Sequence, residues 1–271
     1  MGDGMTDSLF SLDGKVALVT GGGSGLGYAV SAGLLAAGAA RVYIASRKAP
    51  VLEKAARELD PDGRCIAISA DLSTVEGCRS LAEALQKLEP KLHILVNNSG
   101  IAWGAPFGEF PEKGWDKVFQ LNLRAPFFLT QALADTLAAS GSEMDPARVI
   151  NIGSIAGEMA NGTDTFPYGL SKGALHHSTR MLASELGPRN ITVNVIAPGR
   201  FATRMTKNVV EDESRYQRET AMIPLRRWGV DRDIGGLAVF LASPASAYVT
   251  GATIAIDGGL SIYHPLTLGA E

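Results

Sequence analysis

A tyrosine and a lysine four residues apart form the first pair in this sequence that could perform proton chemistry. Tyr168 and Lys172 open a helical pattern that continues to about Leu186, and residues at this spacing share one helix face. A cation beside a phenol favours the phenolate, so we expect Lys172 to lower the pKa of Tyr168. A shift of about three units corresponds to roughly 4 kcal/mol, which requires a desolvated partner charge. Because Tyr-x-x-x-Lys is common, the pair needs support from other residues.

Two polar residues earlier in the chain could complete a site around this pair. Ser154 follows the apolar run 149–152, where a hydroxyl could hydrogen-bond the carbonyl oxygen of a substrate. A serine at a strand end is also a frequent turn or cap residue. Asn122 lies inside a helical pattern, where asparagine is mildly unfavourable because its side chain competes for backbone hydrogen bonds. That cost indicates a role for Asn122 without identifying it.

A glycine-rich loop follows the first apolar run and precedes a helical pattern. Glycines permit a tight turn and the close approach of a pyrophosphate, and the helix N-terminus adds free N–H groups and a positive dipole end. Such a loop can be an ordinary turn, but the strand–loop–helix context favours dinucleotide binding. The candidate residues of this loop are Thr20, Gly21, Gly23, Ser24, Gly25, Leu26 and Gly27.

The end of the second apolar run indicates which dinucleotide is preferred. An NAD-binding protein usually carries Asp or Glu about 20 residues after the glycine loop, where it holds the ribose 2′-hydroxyl. This sequence has Ser46, Arg47 and Lys48 there, and an arginine can bind a 2′-phosphate with two hydrogen bonds. The pattern therefore predicts NADPH or NADP+ as the cofactor, with NADH less favoured. A solvated basic surface turn is the alternative.

These residues need a scaffold, and the sequence predicts a Rossmann-like α/β fold. Apolar, β-branched runs alternate with Ala- and Leu-rich helical stretches, which is typical of a parallel sheet covered on both faces. We expect a doubly wound, seven-stranded parallel sheet flanked by at least six helices in a single domain. The predicted strands are Val16–Thr20, Arg41–Ala45, Cys65–Ser69, Ile94–Asn97, Val149–Ile152, Thr192–Ile196 and Thr253–Ile256.

The single dinucleotide-binding catalytic domain is predicted to span residues 12–260. Residues 1–11 are polar and acidic and are expected to form a disordered leader, and residues 261–271 form a C-terminal tail. The polar segment 200–228 follows the sixth strand at the edge where open α/β sheets bind ligands, so we expect a lid over the site. A surface excursion is the alternative interpretation of this segment.

Composition and charge argue against several function classes. The formal charge of −3 and the pI near 5.9 argue against a nucleic-acid binder. No apolar run approaches the roughly 18 residues that cross a bilayer, and we expect neither a signal peptide nor a membrane partner. The 2 cysteines and 4 histidines lack metal-ligand spacing, so no metal site is predicted. The expected location is the cytoplasm, with reduced thiols.

The order of these motifs makes the chain similar to the short-chain dehydrogenase/reductases over residues 12–259. The loop 20–27 resembles the family's cofactor loop, and the segment 97–100 resembles its Asn-Asn-Ala-Gly motif, with serine in place of alanine. Position 24, often basic in NADPH-using members, is serine, so Arg47 would provide most of the phosphate recognition. The further cofactor-binding residues implied by the resemblance are Asp71, Leu72, Asn98, Ser99, Gly100, Tyr168, Lys172, Pro198, Gly199, Phe201 and Thr203.

The resemblance also implies a mechanism, in which Asn122, Ser154, Tyr168 and Lys172 form a catalytic tetrad. Ser154 would bind a ketone oxygen, Tyr168 would protonate it, and Asn122 would anchor a water chain that restores the proton. Within the family, the segments 103–105, 147–154, 194–201 and 227–229 resemble those of β-ketoacyl reductases, which implies NADPH-dependent reduction of a 3-oxoacyl thioester. The alternatives are an NADP-linked alcohol, steroid or sugar dehydrogenase, and a non-catalytic NADPH-binding sensor or scaffold. A homotetramer is the implied assembly.

Side chains around such a tetrad would select the substrate. Each apolar candidate for the pocket wall could equally belong to the core, and each basic candidate for carrier recognition could be an ordinary solvated charge. The apolar candidates are Trp103, Ile155, Met159, Phe166, Phe201 and Met205. The basic candidates, which could steer a phosphopantetheine or a carrier protein, are Arg204, Lys207, Arg226 and Arg227.

Overall fold

Parallel strands form one continuous sheet in the computed structural model, which describes residues 9–160 and 164–262. The seven strands within these ranges are β1 (Val16–Thr20), β2 (Arg41–Ser46), β3 (Cys65–Ser69), β4 (Ile94–Asn97), β5 (Ala147–Ile152), β6 (Ile191–Pro198) and β7 (Thr253–Ile256). Their order across the sheet is β3-β2-β1-β4-β5-β6-β7, so the direction of winding reverses between β1 and β4. The predicted doubly wound, seven-stranded parallel sheet is confirmed.

Four strands begin and end where the sequence predicts, and β2, β5 and β6 are longer. The additional residues pair in register with the neighbouring strand, as Ser46 does with Ser69. At β5, Ala147 pairs with Ile191. Hydrogen bonds to a neighbouring strand set these ends, and the local hydrophobic pattern does not report that pairing.

Helices cover both faces of the sheet. They are α1 (Gly25–Ala36), α2 (Ala49–Leu59), α3 (Val75–Leu88), α4 (Glu112–Phe119), α5 (Ala125–Ala138), α6 (Phe166–Leu186), α7 (Lys207–Val210), α8 (Glu213–Ala221) and α9 (Asp231–Ala242). One core cluster joins the sheet to α1, α2 and α9, and a second joins its opposite face to α3, α5 and α6. The layers are therefore helix, sheet and helix.

Burial on both faces explains the unbroken apolar strands. In β1, Ala17 and Val19 enter one core cluster, whereas Val16 and Leu18 enter the other. Neither face of this strand contacts water, so successive residues need not alternate between apolar and polar. The central strands thus hold the loops at their carboxyl ends in fixed positions.

The segment 200–228 is more regular than the sequence indicates, because it contains α7 and α8. A small cluster of Val209, Ile223 and Trp228 supports it, with Tyr216 packed alongside. Only Glu219 is buried among the residues of α8, which explains the polar sequence. The segment therefore packs as a small folded unit next to the end of β6.

Two further expectations concern what the described ranges contain. No helix within residues 9–160 and 164–262 is both long and apolar enough to span a membrane. The same ranges hold no group of three or more His, Cys, Asp or Glu side chains placed to bind a metal ion. Residues 1–8 of the expected leader and residues 263–271 of the expected tail lie outside the described residues.

Candidate active site

The glycine loop and the segment after β4 meet at the carboxyl edge of the sheet. Thr20 ends β1, and its Oγ1 accepts hydrogen bonds from the backbone N–H groups of Asn98 (2.9 Å) and Ser99 (3.0 Å). The Asn98 side chain donates through Nδ2 to the Thr20 carbonyl oxygen at 2.8 Å. These bonds join the two loops where the winding of the sheet reverses, which is where open α/β sheets bind ligands.

Close packing inside the loop requires glycine at particular positions. Gly21 has a φ of 68°, and a Cβ on Gly27 would lie 2.4 Å from the Gly21 carbonyl oxygen. Ser24 precedes α1 without making a side-chain cap hydrogen bond, and the first turn of α1 contains no acidic residue. The backbone N–H groups at this helix end therefore suit an anion such as a pyrophosphate.

The basic residues after β2 lie beside the segment that follows β3. Ser46 ends β2, and the side chains of Arg47 and Lys48 are exposed. Asp71 accepts a hydrogen bond from the Ser73 backbone N–H at 3.0 Å, and this bond, aided by the Arg47 charge, lowers the pKa of Asp71. The neighbouring Leu72 is buried. This edge of the sheet therefore holds the exposed guanidinium of Arg47, the carboxylate of Asp71 and the apolar side chain of Leu72.

Helix α6 presents its tyrosine and its lysine to the end of β5. The Lys172 side chain is buried, its Nζ donates to the Ile152 carbonyl oxygen at 2.6 Å, and Nζ lies 5.8 Å from the centre of the Tyr168 ring. The Tyr168 hydroxyl is hydrogen-bonded to the Ser154 side chain. The structure thus brings together three of the four residues of the expected tetrad.

Burial sets the proton affinities of this pair. It lowers the pKa of Lys172 from 10.5 to about 8. Burial also holds the pKa of Tyr168 above its ordinary value, because desolvation outweighs the hydrogen bond with Ser154 and the positive charge of Arg200. The pKa of Tyr168 is therefore raised, where we expected it to be lowered, because burial is the dominant effect. At neutral pH Tyr168 is a protonated phenol, the form that can donate a proton.

Asn122 reaches the same cluster through an irregularity of its helix. It lies in a π-turn, Gln120–Arg124, between α4 and α5. Its Oδ1 accepts from the Ile101 N–H at 2.9 Å, and its Nδ2 donates to the Ile101 carbonyl at 2.9 Å and to Ser171 Oγ at 3.1 Å. π-Turns are frequent at functional sites. Asparagine is unfavourable inside a helix, but the side chain of Asn122 has a task there: it bonds the backbone of Ile101 in the segment after β4.

Ser154 is both a cap residue and a member of the cluster. Its Oγ accepts a hydrogen bond from the Ala156 backbone N–H at 3.2 Å and caps the short turn Ile155–Gly157. The same hydroxyl bonds Tyr168. Ser154 is therefore a cap residue and also a partner of Tyr168, so both interpretations of a serine at a strand end apply.

The segment after β6 returns toward the glycine loop. A Cβ on Gly25 would lie 3.7 Å from Thr203 Cγ2, and a Cβ on Gly199 would lie 2.5 Å from the Cβ of Asp257. Phe201 is buried in the main core and forms a bridge with Gly229. Its ring therefore belongs to the core, which is one of the two positions that we considered for this residue.

An exposed aromatic cluster lies at the start of α6. The ring centre of Phe166 is 5.5 Å from that of Phe107 and 6.1 Å from that of Phe110, and Phe107 is 83% exposed. Trp103 is another expected wall residue, and Nζ of Lys117 lies 5.6 Å from the centre of its ring. The other candidates differ in exposure: Ile155 is buried, Met159 is half-buried and Met205 is exposed.

Two residues near Tyr168 were not predicted. Arg200 follows β6, its Nε lies 2.9 Å from Glu219 Oε2, and its charge acts on Tyr168. His176 is buried one turn after Lys172, and its Nε2 lies 3.4 Å from the Ser154 backbone nitrogen. The four-residue spacing from Lys172 could have identified His176. Nothing local marks Arg200, because its partner belongs to a different element.

Comparison with known proteins assigns the family. A family model described as Enoyl-(Acyl carrier protein) reductase matches residues 21–261, a span that includes most of the glycine loop and all four tetrad positions. The chain belongs to the short-chain dehydrogenase/reductase family. This short-chain dehydrogenase/reductase is an oxidoreductase, and the resemblance inferred from its motifs is confirmed.

Relatives of this short-chain dehydrogenase/reductase are named for different substrates. The rhamnolipids biosynthesis 3-oxoacyl-[acyl-carrier-protein] reductase of Pseudomonas aeruginosa is 49% identical over 253 residues, which cover 93% of this chain and 98% of the relative. The 2-dehydro-3-deoxy-D-gluconate 5-dehydrogenase of Dickeya dadantii is 40% identical and covers 92% and 96%. A solved structure described as the Pseudomonas aeruginosa RhlG/NADP active-site complex has a TM-score of 0.91 at 49% identity and covers 94% and 99%. The predicted similarity to β-ketoacyl reductases is confirmed.

Proposed function

We propose that this short-chain dehydrogenase/reductase uses NADPH to reduce a ketone, the 3-oxo group of an acyl thioester, to a secondary alcohol. The observation that carries the proposal is the hydrogen bond between the Tyr168 and Ser154 side chains, with the Lys172 ammonium buried nearby. Two hydroxyls at one edge of the sheet can both donate to a single carbonyl oxygen. The raised pKa of Tyr168 keeps its proton available for transfer.

Each polar side chain then has a defined task. Ser154 donates a hydrogen bond to the carbonyl oxygen, and Tyr168 transfers its proton as negative charge develops there. Bound NADPH would supply the hydride. Lys172, with its pKa near 8, keeps most of its charge at pH 7, stabilises the tyrosinate and can return a proton to it. Asn122 holds the segment after β4 to α6 through Ser171.

Residues at two strand ends fit a dinucleotide with a 2′-phosphate. The first turn of α1, which Ser24 leaves without a side-chain cap, suits the pyrophosphate. The exposed guanidinium of Arg47 at the end of β2 suits the 2′-phosphate. The NADP complex of a 49% identical protein supports the same cofactor here.

Arg47→Ala is expected to weaken the preference for NADPH over NADH. Loss of charge-assisted hydrogen bonds to the 2′-phosphate should raise KM for NADPH about 10- to 100-fold, whereas KM for NADH should change less than about twofold. Steady-state kinetics with both cofactors measure this difference. Arg57→Ala, which removes an exposed arginine from α2, is the matched control. Equal losses with both cofactors would contradict the assigned role.

Two features favour an acyl chain over a sugar acid as the substrate. The aromatic cluster of Phe107, Phe110 and Phe166 presents apolar surface at the start of the helix that carries Tyr168. Each methylene buried there would contribute about 0.8 kcal/mol. Arg200, whose charge reaches Tyr168, is already paired with Glu219 and is therefore a poor anchor for a substrate carboxylate.

A substrate panel tests this proposal. NADPH oxidation is followed with 3-oxoacyl thioesters, keto-sugar acids and simple ketones. We expect kcat/KM for a medium-chain 3-oxoacyl thioester to exceed that for any keto-sugar acid by about 100-fold. The reverse preference would keep the mechanism and replace the substrate class. Tight NADPH binding without turnover of any carbonyl would instead support a sensor or scaffold.

The assembly and the lid belong to the same proposal. Exposed apolar side chains on α4, α5 and α6 support the homotetramer that the family resemblance implies; they are Trp115, Phe127, Leu170 and Met181. The pair between Arg200 and Glu219 ties α8 to the end of β6, which supports segment 200–228 as the lid. A cytoplasmic location stays a prediction.

A further inference from the structure

A buried histidine lies against the backbone of Ser154 and has no task in the mechanism above. His176 is 3% exposed, and its Nε2 accepts the Ser154 backbone N–H at 3.4 Å. Its Nδ1 lies 3.6 Å from Glu158 Oε1. These contacts fit the tautomer with its proton on Nδ1, which leaves Nε2 free to accept a hydrogen bond.

The backbone around the imidazole is shaped to admit it. A Cβ on Gly153 would lie 2.3 Å from His176 Nε2, and a Cβ on Gly157 would lie 3.0 Å from His176 Cε1. A side chain at position 153 would therefore displace the ring. Glycines on both sides of the Ser154 turn seat the imidazole directly against it.

The imidazole is neutral at neutral pH. Burial, together with the charges of Lys172 and Arg180, lowers the pKa of His176 to about 4. A protonated ring would present an N–H group toward the Ser154 N–H, and the two donors would repel each other. The neutral ring is therefore an acceptor rather than a proton source.

His176 belongs to a series of contacts between α6 and the end of β5. Lys172 bonds the Ile152 carbonyl, and Tyr168 bonds the Ser154 side chain. Tyr168, Lys172 and His176 follow one another at intervals of four residues, so they share one face of α6. His176 supplies the contact that holds the Ser154 main chain. The helix that carries Tyr168 thus holds both the backbone and the hydroxyl of Ser154.

We propose that His176 is a positioning residue whose neutral imidazole holds the Ser154 backbone so that the serine hydroxyl meets the same carbonyl oxygen as Tyr168. This inference rests on the proposed carbonyl reduction. Misplacement of a reacting group by about 1 Å can cost on the order of 100-fold in rate. Loss of one long hydrogen bond should cost less than that, and the loss should fall on kcat rather than on cofactor binding.

The first test compares His176→Met with His176→Gln. Both side chains are unbranched and similar in size, but only glutamine offers an amide oxygen that can accept the Ser154 N–H. With the best panel substrate, we expect His176→Met to lower kcat about tenfold, with Kd for NADPH within about twofold of wild type. His176→Gln should recover kcat to within about threefold of wild type. Thermal unfolding of both variants reports any difference in packing.

The second test repeats the Met replacement in a Ser154→Ala background. If His176 acts through the serine hydroxyl, the added change should lower kcat by less than about twofold, because that hydroxyl is already absent. A full tenfold loss in this background, or equal kcat in the Met and Gln variants, would overturn the inference. Ser154→Ala activity equal to wild type would instead overturn the proposed function, so the two failures are distinguishable.

Discussion

Tyr168→Phe should lower kcat/KM about 1000-fold while leaving NADPH binding unchanged. Phenylalanine keeps the ring whose centre lies 5.8 Å from Lys172 Nζ and removes only the hydroxyl that bonds Ser154. General acid catalysis typically contributes about 10²- to 10⁴-fold, which sets the size of the expected loss. Steady-state kinetics with the best panel substrate and a fluorescence titration with NADPH measure the two quantities.

Tyr248→Phe is the matched control for this variant. It makes the same chemical change at a fully exposed side chain, and kcat/KM should stay within about twofold of wild type. If Tyr168→Phe retained more than about a tenth of the wild-type kcat/KM, Tyr168 would not be the general acid.

Lys172→Met should nearly abolish turnover and also stabilise the fold. Loss of the ammonium removes the charge that stabilises the tyrosinate, and kcat should fall on the order of 100-fold or more. The lowered pKa of Lys172, about 8 instead of 10.5, means that burying its charge costs about 3 kcal/mol. Methionine removes this cost but leaves the Ile152 carbonyl without its donor, which offsets about 1–2 kcal/mol. The free energy of unfolding at pH 7 should therefore rise by about 1–2 kcal/mol.

The pH dependence of stability tests the sign of this effect. Below about pH 8, Lys172 is charged in both the folded and the unfolded state, and the whole cost of burying its charge is present. This cost falls as the pH rises from about 8 toward 10.5, because the folded protein then holds the lysine in its neutral form. The stability advantage of Lys172→Met should therefore shrink between pH 7 and pH 9.5, as denaturant unfolding of both proteins will show. Lys87→Met, at an exposed side chain, is the control and should show no such trend. A variant less stable than wild type at pH 7 would contradict the cost assigned to burial.

Local hydrophobic patterns in the sequence predicted most of the fold. The apolar runs of β1 and β4 match the strands residue for residue, because each strand is buried on both faces and ends at a loop with glycine or polar residues. The two helices in segment 200–228 were harder to predict from the sequence. Its helices α7 and α8 are short and largely exposed, and tertiary contacts of Trp228 rather than a hydrophobic period hold them.

The positions of Phe201 and His176 depend on contacts that the neighbouring residues in the sequence do not reveal. The sequence left Phe201 as either a pocket-wall or a core residue, and only its packing into the core against Gly229 decided between them. Helical spacing places His176 on the same face as Lys172, but it does not show that His176 contacts Ser154 between α6 and β5. In both cases the deciding neighbour is more than 20 residues away in the chain.

The sequence by itself determined the layered α/β fold, the glycine-rich loop after β1 and the grouping of Asn122, Ser154 and Lys172 with Tyr168. Apolar runs, glycine spacing and helical periodicity are local properties, because each depends only on residues close together in the sequence. Only the tertiary structure decided how those residues behave: the raised pKa of Tyr168, the lowered pKa of Lys172 and the contact of His176 with Ser154. Desolvation and long-range hydrogen bonds depend on what surrounds a group in space, and no spacing along the chain specifies that surrounding.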